Sequence, residues 1–345
     1  LVQCAYDLVI VDELLMYKNK RTQRWKALWP LVAQCRFVWG MTGAPIPNSP
    51  LDAYGQIKLL HPNAVGSMTS FRDKLMTQIT TFKWIPKPGA HDEIYRLMQP
   101  SVRFRLKDCH DIPDTVYVTR KVPLSPVQKK FYKLLFDHCH AQYNQHAITA
   151  VNEGVKLNKL LQVSCGYVKT SNHVGSSEAT VASTKVLGLN PADRMKELLD
   201  LLQENEHKAI VFVPYIAALK QVYNYISKHY NAALIYSGVS KSDRDQIFYE
   251  FQHSDQPHVL VAQPRAMSHG LTLTKANMVI WYAPVDNLDT YIQANARIVR
   301  AGQDKKTVIV HLEGSPAERG VYKRLQNKEA LQGVLLEMFE GVQDE

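Results

Sequence analysis

The sequence predicts an α/β protein of two lobes, each a parallel β-sheet flanked by helices, with a helical insertion between them. Three observations carry that expectation. Short apolar runs rich in β-branched residues alternate with helix-length stretches near the start of the chain, and the alternation returns after Pro191. Between them the pattern breaks at Pro86-Lys87-Pro88-Gly89 and again in the small, polar stretch 171–183. With 345 residues, 46% of them hydrophobic, the chain has enough material for two cores.

Taken in order, Tyr6 to Val11 reads as a buried parallel strand ending in two acids, Asp12 and Glu13. A basic helix follows from about Lys20 to Gln34, then a strand from Arg36 to Trp39. The next loop, Thr42 to Asn48, is stiffened by Gly43, Pro45 and Pro47. From about Gly66 to Pro113 the pattern is irregular and reads as an insertion or protrusion. Val116 to Val122 alternates like a strand, and Ser125-Pro126 opens a helix expected to reach about His146. The stretch 171–183 reads as a loop within a helical linker. Asn190-Pro191-Ala192-Asp193 starts another helix. Strands are then expected at Ala209–Val213, Ala233–Tyr236, His258–Ala262, Met278–Trp281 and Thr307–Leu312, with right-handed crossovers that align their C-terminal tips on one edge. The expected boundaries are 1–112 for the first lobe, 113–188 for the linker, 189–312 for the second lobe and 313–345 for a C-terminal helical brace.

A formal net charge of +9 favours a polyanionic partner, most simply nucleic acid, although it also serves plain solubility. The five cysteines are odd in number and none are spaced as CxxC, which argues against a disulfide framework or a zinc site. His138, Cys139, His140 and His146 do not share a helix face, and no further ligand completes a tetrahedral set. No apolar run approaches the roughly 18 residues that a membrane helix needs. No membrane role is expected, and the cytoplasm, or the nucleus of a nucleated cell, is the expected location. Lys18, Lys20, Arg21, Arg24 and Lys26 interleave with Trp25 and Trp29. Such a segment can grip phosphates and stack a base, but tryptophans at this spacing are also ordinary core.

Two distant segments carry complementary chemistry. In Gln293-Ala294-Asn295-Ala296-Arg297-Ile298-Val299-Arg300-Ala301-Gly302-Gln303, offsets of four and three place Gln293, Arg297 and Arg300 on one face of a helix. Guanidiniums charged at any working pH can clamp the charge developing on a transferred phosphate. Asp12-Glu13 at a strand tip can hold a Mg²⁺ and orient a water at a nucleotide phosphate. Each has an ordinary alternative, a solvated basic face in one case and a helix N-cap in the other. Together they suggest an ATPase divided between two lobes.

The ordered set of motifs resembles the Swi/Snf-like branch of the superfamily-two helicases and DNA translocases, over nearly the whole chain. Asp12-Glu13 followed by Lys18-Asn19 resembles that family's DExH box, and Thr42-Gly43-Ala44-Pro45-Ile46-Pro47-Asn48 its TGTPxxN segment. Arg103, Arg105, Lys107, Asp108 and Ile112-Pro113 resemble its basic stretch before Leu-Pro, and Leu124-Ser125, Gln128 and Tyr132 its LSxxQxxxY start. Lys208 to Phe212, then Tyr236-Ser237-Gly238, Arg244 and Phe251, then Gly270-Leu271-Thr272-Leu273 and the closing arginine segment, complete the order. The short, lightly decorated architecture looks like versions found in phages and bacteria.

The resemblance implies two RecA-like lobes with ATP and Mg²⁺ bound between them. Asp12 would hold the metal, Glu13 would polarise water, and Arg297 and Arg300 would stabilise transition-state charge. Gln293 and Gly270 would contact nucleotide. Lys18, Asn19, Thr42, Gly43, Asn48, Gly238 and Arg244 would bind nucleic acid, DNA foremost, or couple it to turnover. Glu318 resembles the final acidic residue and is assigned no catalysis.

The sequence also departs from the pattern. Leu15 stands where the family has His, Ala44 where it prefers Thr, and Thr272 where it prefers Asn. No GxxxxGK[ST] loop occurs in the chain, and the first residue is Leu1. The expectation is a fragment with an incomplete first lobe, inactive alone, whose phosphate loop comes from an upstream segment or a second chain. The alternative is a catalytically inactive nucleic-acid-binding or regulatory module that keeps the motor fold.

Overall fold

The structure is a computed structural model that describes residues 6–81, 83–104, 109–138, 140–143, 146–149, 153–169, 186–267 and 271–338. The chain divides into two compact units. One comprises residues 1–105, 287–289 and 325–345, and the other residues 106–286 and 290–324.

In the first unit, β1 (Leu8–Val11) pairs in parallel with β2 (Phe37–Gly40), Leu8 opposite Phe37 and Val11 opposite Gly40. Helix α1 (Gln23–Val32) begins where the Thr22 hydroxyl accepts the Trp25 amide, and α2 is Ala53–Leu60. Alternate residues of the strands face these helices: Val11 joins Leu14, Trp25, Val32 and Leu59 in a core that Val9 and Val38 extend. The other face is largely open among the described residues. Leu8, Ile10, Phe37 and Trp39 are 38%, 51%, 51% and 61% exposed. The expected parallel strand is present, then, but it is buried on one face only, because helices cover one side of a two-stranded sheet.

The irregular stretch after Gly66 resolves into α3 (Met68–Leu75), an antiparallel hairpin of β3 (Met76–Thr80) and β4 (Lys83–Pro86), and α4 (Ala90–Leu97). Phe71, Leu75, Ile94 and Leu97 pack with Tyr54 and Ile57 of α2. Turn residues between short elements conceal this regularity in the sequence.

The second unit opens with β5 (Thr115–Lys121) and α5 (Pro126–His138). The helix stops at His138, short of the expected His146. His140 and His146 instead lie on an antiparallel hairpin, β6 (His140–Tyr143) and β7 (His146–Thr149), where Tyr, Ile and Thr suit strands better than helices. Next come α6 (Glu153–Ser164), β8 (Tyr167–Lys169) and β9 (Val186–Gly188). The remaining elements alternate: α7 (Ala192–Glu204), β10 (Lys208–Phe212), α8 (Ile216–Ile226), β11 (Ala232–Ile235), α9 (Lys241–His253), β12 (Val259–Ala262), β13 (Ala276–Trp281), α10 (Leu288–Asn295), β14 (Thr307–Glu313) and α11 (Pro316–Met338).

Six of these strands form one parallel sheet in the order β11-β12-β10-β13-β14-β5. Every residue of β10 and β12 is buried, as expected of central parallel strands. Each of Ile210, Val211 and Phe212 contributes roughly 1.5–3 kcal/mol by its burial. No helix among the described residues is long and apolar enough to cross a membrane.

The start of α11 is tied down by side chains. Ser315 Oγ accepts the Glu318 amide at 3.2 Å, and Glu318 Oε2 accepts the Gly314 amide at 2.8 Å, a form of capping box with Pro316 at the first helical position. Glu318 is fully buried and pairs with Arg194 at 2.7 Å. Arg194 also donates to the Ser164 and Leu312 carbonyls. Burial opposes the guanidinium's charge, but the Glu318 carboxylate outweighs it and raises the Arg194 pKa.

Candidate functional site

The predicted site residues lie in two groups, one in each unit. In the first unit, β1 delivers Asp12 and Glu13 at its C-terminal tip. Glu13 takes a left-handed backbone (φ 50°, ψ 51°), which ends the strand and turns the chain into the short 3₁₀ helix Leu14–Tyr17. Asp12 is exposed, and its Oδ1 accepts the Glu13 amide at 2.8 Å, holding the carboxylate beside its neighbour. Two hard oxygen donors at an open strand tip suit Mg²⁺, which is commonly held by one or two carboxylates together with phosphate and water.

The loop that begins at β2 is bonded to this tip. Met41 donates its amide to the Val11 carbonyl at 2.9 Å and accepts the Leu14 amide at 2.8 Å. Thr42 and Gly43 therefore follow directly beside the acids. Thr42 Oγ1 accepts the Ala44 amide at 3.3 Å, and Ala44 is buried. A Cβ at Gly43 would meet nothing within 4 Å, so the loop there is open to approach.

Lys18 and Asn48 are joined by a residue that the motif reading passed over. Asp52 pairs with Lys18 Nζ at 3.2 Å and accepts the Asn48 amide at 3.2 Å. Asn48 Oδ1 accepts Lys328 Nζ at 3.1 Å. Asn19 serves the backbone: its Oδ1 accepts the Arg21 amide, shaping the turn that leads to the Thr22 cap. Gln56, fully buried, donates to the Pro45 carbonyl at 2.6 Å and fixes the far side of the loop. Only its place on a helix after a Pro-rich loop could have pointed to it. Trp25 and Trp29 stack with centroids 5.1 Å apart, and Trp25 is buried with its Nε1 on the Gly55 carbonyl. Trp25 is thus core, and base stacking has no support from it. Leu15 is also buried.

In the second unit the arginine segment departs from the expected geometry. Helix α10 ends at Asn295, so Gln293 is helical, while Arg297 and Arg300 follow in tight turns. Asn295 Oδ1 accepts Trp281 Nε1 at 3.0 Å, and the left-handed Gly302 (φ +89°) completes the exit from the helix. The guanidiniums still converge. Arg297 Nη1 and Arg300 Nη1 donate to the same Leu271 carbonyl, at 3.3 and 2.7 Å. Arg297 also bonds the Gln293 carbonyl through Nε and is buried, whereas Arg300 is half-exposed. The Leu273 amide returns a bond to the Arg297 carbonyl at 2.9 Å. Gln303 is buried and bonds the Ala276 and Ile298 carbonyls, a scaffold role within the motif.

Gly238 follows β11 in a turn closed by the Val239 amide on the Tyr236 carbonyl, and a Cβ there would strike the Tyr236 ring at 2.5 Å. Arg244 lies in the first turns of α9, whose N-terminus Ser240 caps by accepting the Asp243 amide. Gly270 lies outside the described residues, as do Arg105, Lys107 and Asp108.

This geometry belongs to a recognisable class. Residues 192–302 match the family model of the helicase conserved C-terminal domain, which contains Gly238, Arg244, Gln293, Arg297 and Arg300. Residues 1–175 match the SNF2-related domain, and the chain belongs to that SNF2-related family.

The chain is 24% identical to an uncharacterized ATP-dependent helicase of Mycoplasma pneumoniae, over 99% of this chain and 32% of the relative. It is 24% identical to the mouse chromodomain-helicase-DNA-binding protein 1-like, over 96% of this chain and 37% of the relative. It is 22% identical to protein CHROMATIN REMODELING 4 of Arabidopsis thaliana, over 89% of this chain and 14% of the relative. The chain thus spans well under half the length of each. Among solved structures it is similar to the Sulfolobus solfataricus SWI2/SNF2 ATPase core in complex with dsDNA, with 22% identity, a TM-score of 0.44, and coverage of 99% of this chain and 72% of that one.

Proposed function

We propose that this chain is part of an ATP-dependent nucleic-acid motor, a helicase or double-stranded DNA translocase. The observation that carries the reading is the convergence of Arg297 and Arg300 on one neutral carbonyl. A carbonyl orients the Arg300 guanidinium without neutralising it, so that charge stays available for phosphate oxygens, while Arg297 is anchored beside it. The acids just past the tip of β1, Asp12 exposed and Glu13 half-buried, supply the opposite requirement.

In this reading Asp12 binds Mg²⁺ through its water shell, Glu13 orients the attacking water, and Arg297 with Arg300 stabilises charge on the transferred phosphate. Gln293 orients the arginines or contacts nucleotide, and Gly270, next to Leu271 in sequence, contacts nucleotide as well. Lys18, Asn19, Thr42, Gly43, Asn48, Gly238 and Arg244 bind the nucleic-acid backbone or couple it to turnover. Asp52 supports that role by holding Lys18 and Asn48 together. Different affinities of two states for the phosphate backbone turn each ATP cycle into a step.

The phosphate loop comes from a further polypeptide segment, upstream or on a second chain, that covers the bare side of β1 and β2. Leu8, Ile10, Phe37 and Trp39 support this, since a parallel sheet is ordinarily covered on both faces. A second reading, an inert nucleic-acid-binding module, is favoured by Leu15 in place of the histidine. ATP turnover with duplex DNA, measured on the protein joined to its loop-bearing segment, separates the two. Arg300→Ala should cut stimulated turnover about a thousandfold, the low end of what such an arginine supplies, with DNA affinity kept. Full turnover in that variant sinks the role of Arg300, and no turnover in the parent establishes the inert module.

A further inference from the structure

Four neighbouring strands of the six-stranded sheet start at basic residues. Lys208 opens β10, His258 immediately precedes β12, Lys275 immediately precedes β13, and Lys305 stands two residues before β14. Because the strands are parallel, these groups share the edge opposite the strand end that leads to Gly238. They line a cavity of about 390 Å³ together with His207 and His253. Its acids are Glu206 and Asp255, so three ammonium groups face two carboxylates before any histidine is protonated.

The cations are oriented largely by neutral partners. Lys208 Nζ donates to the Phe251 and Ser254 carbonyls at 2.9 and 2.5 Å, at the end of α9. Lys305 Nζ lies 3.3 Å from His207 Nδ1, and His253 Nδ1 lies 2.9 Å from the Tyr249 carbonyl. The Tyr230 ring stacks on His258. Burial lowers the His258 pKa, and the nearby Lys208 and His207 lower it further. Burial likewise lowers that of Lys208, with Asp255 opposing and Lys275 reinforcing the effect. The groups on this wall repel one another. Three histidines and two carboxylates would otherwise suggest a metal, but no group of three or more such residues among those described is arranged to hold one.

We propose that this cavity binds a small, multiply charged oxyanion of the diphosphate class, either free or as the diphosphate of a nucleotide. The ammonium groups of Lys275 and Lys305 grip its oxygens through charge-assisted hydrogen bonds. His258 then takes up a proton, because a neighbouring anion favours the charged imidazole. Affinity therefore rises as pH falls through the histidine range, and the rise depends on His258.

Calorimetric titration of the full chain tests this, with inorganic diphosphate in one arm and ADP in the other, at pH 8 and at pH 6. Lys275→Gln/Lys305→Gln should weaken diphosphate binding about tenfold or more at both pH values. His258→Gln should lose most of the extra tightening that the parent shows at pH 6. Lys196→Gln, an exposed lysine outside the cavity lining, should bind as the parent does, which separates this cavity from general surface charge. Tighter binding of ADP than of inorganic diphosphate identifies a nucleotide, and equal binding identifies the free anion. The proposal is overturned if neither ligand binds, if the double lysine variant binds as the parent does while its thermal unfolding is unchanged, or if Lys196→Gln weakens binding as much as the double lysine variant does.

Discussion

Arg297 and Arg300 look equivalent in the motif, but their surroundings assign them different loads. Arg297 is buried and spreads its guanidinium over the Gln293 and Leu271 carbonyls, while Arg300 is half-exposed. A hydrogen bond to a charged group is worth about 1.5–3 kcal/mol. Arg297→Ala should therefore lower unfolding stability by roughly 2–3 kcal/mol, whereas Arg300→Ala should stay within about 1 kcal/mol, as denaturant titration will measure. His311 carried no signal in the sequence. It is buried, lies 2.8 Å from the Tyr291 hydroxyl through Nε2, and stacks on the Tyr322 ring. Burial pushes its pKa from 6.5 down to about 4. Since the folded value is the lower one, the unfolded chain binds the extra proton between those limits. The stabilisation is complete above pH 6.5 and is lost as pH falls towards 4. Thermal unfolding from pH 7.5 to 4.5 should show up to roughly 3 kcal/mol of loss, which His311→Gln should largely abolish.

At the scale of elements, the strands of the second sheet were legible because fully buried parallel strands read as unbroken apolar runs. Ala209–Val213 and Thr307–Leu312 each fall within a residue of the observed strand ends. The pairing of β5 with β14, Thr115 opposite Thr307, was not legible, since register between segments so far apart is set by packing. Nor was the end of α10. Offsets of four and three fit a helix, but the Trp281–Asn295 bond and the turn at Gly302 take the chain out of it. At the candidate site, motif order pointed to the residues proposed, whereas supporting partners such as Asp52 and Gln56 depend on tertiary contacts. The bond from Arg194 to Glu318 was equally hidden, though it joins α7 to α11. Breaking a buried ion pair costs about 3–5 kcal/mol, while replacing both partners by apolar groups is far milder. Glu318→Leu should therefore destabilise strongly, and adding Arg194→Met should recover much of the loss in denaturant titration.

At the scale of the whole molecule, the proposed nucleic-acid binding by a chain of net charge +9 would be driven by counterion release. If six phosphates are contacted, binding should weaken about a thousandfold between 50 and 200 mM salt. A flat salt dependence would exclude backbone recognition. The bare side of β1 and β2 makes a separate prediction. Trp39→Asp should leave the chain's own stability within about 0.5 kcal/mol, because the ring is largely exposed, yet should prevent pull-down of the loop-bearing segment.

The oxygen of Leu271 has a larger consequence than a single hydrogen bond. Since both arginines hang on it, and Leu273 is bonded back to Arg297, the short run 271–273 cannot shift without disturbing both positive charges together. A displacement of that run therefore strains one bond of each arginine at once, while Arg297 keeps its hold on the Gln293 carbonyl, so Arg300 is the freer of the two to swing.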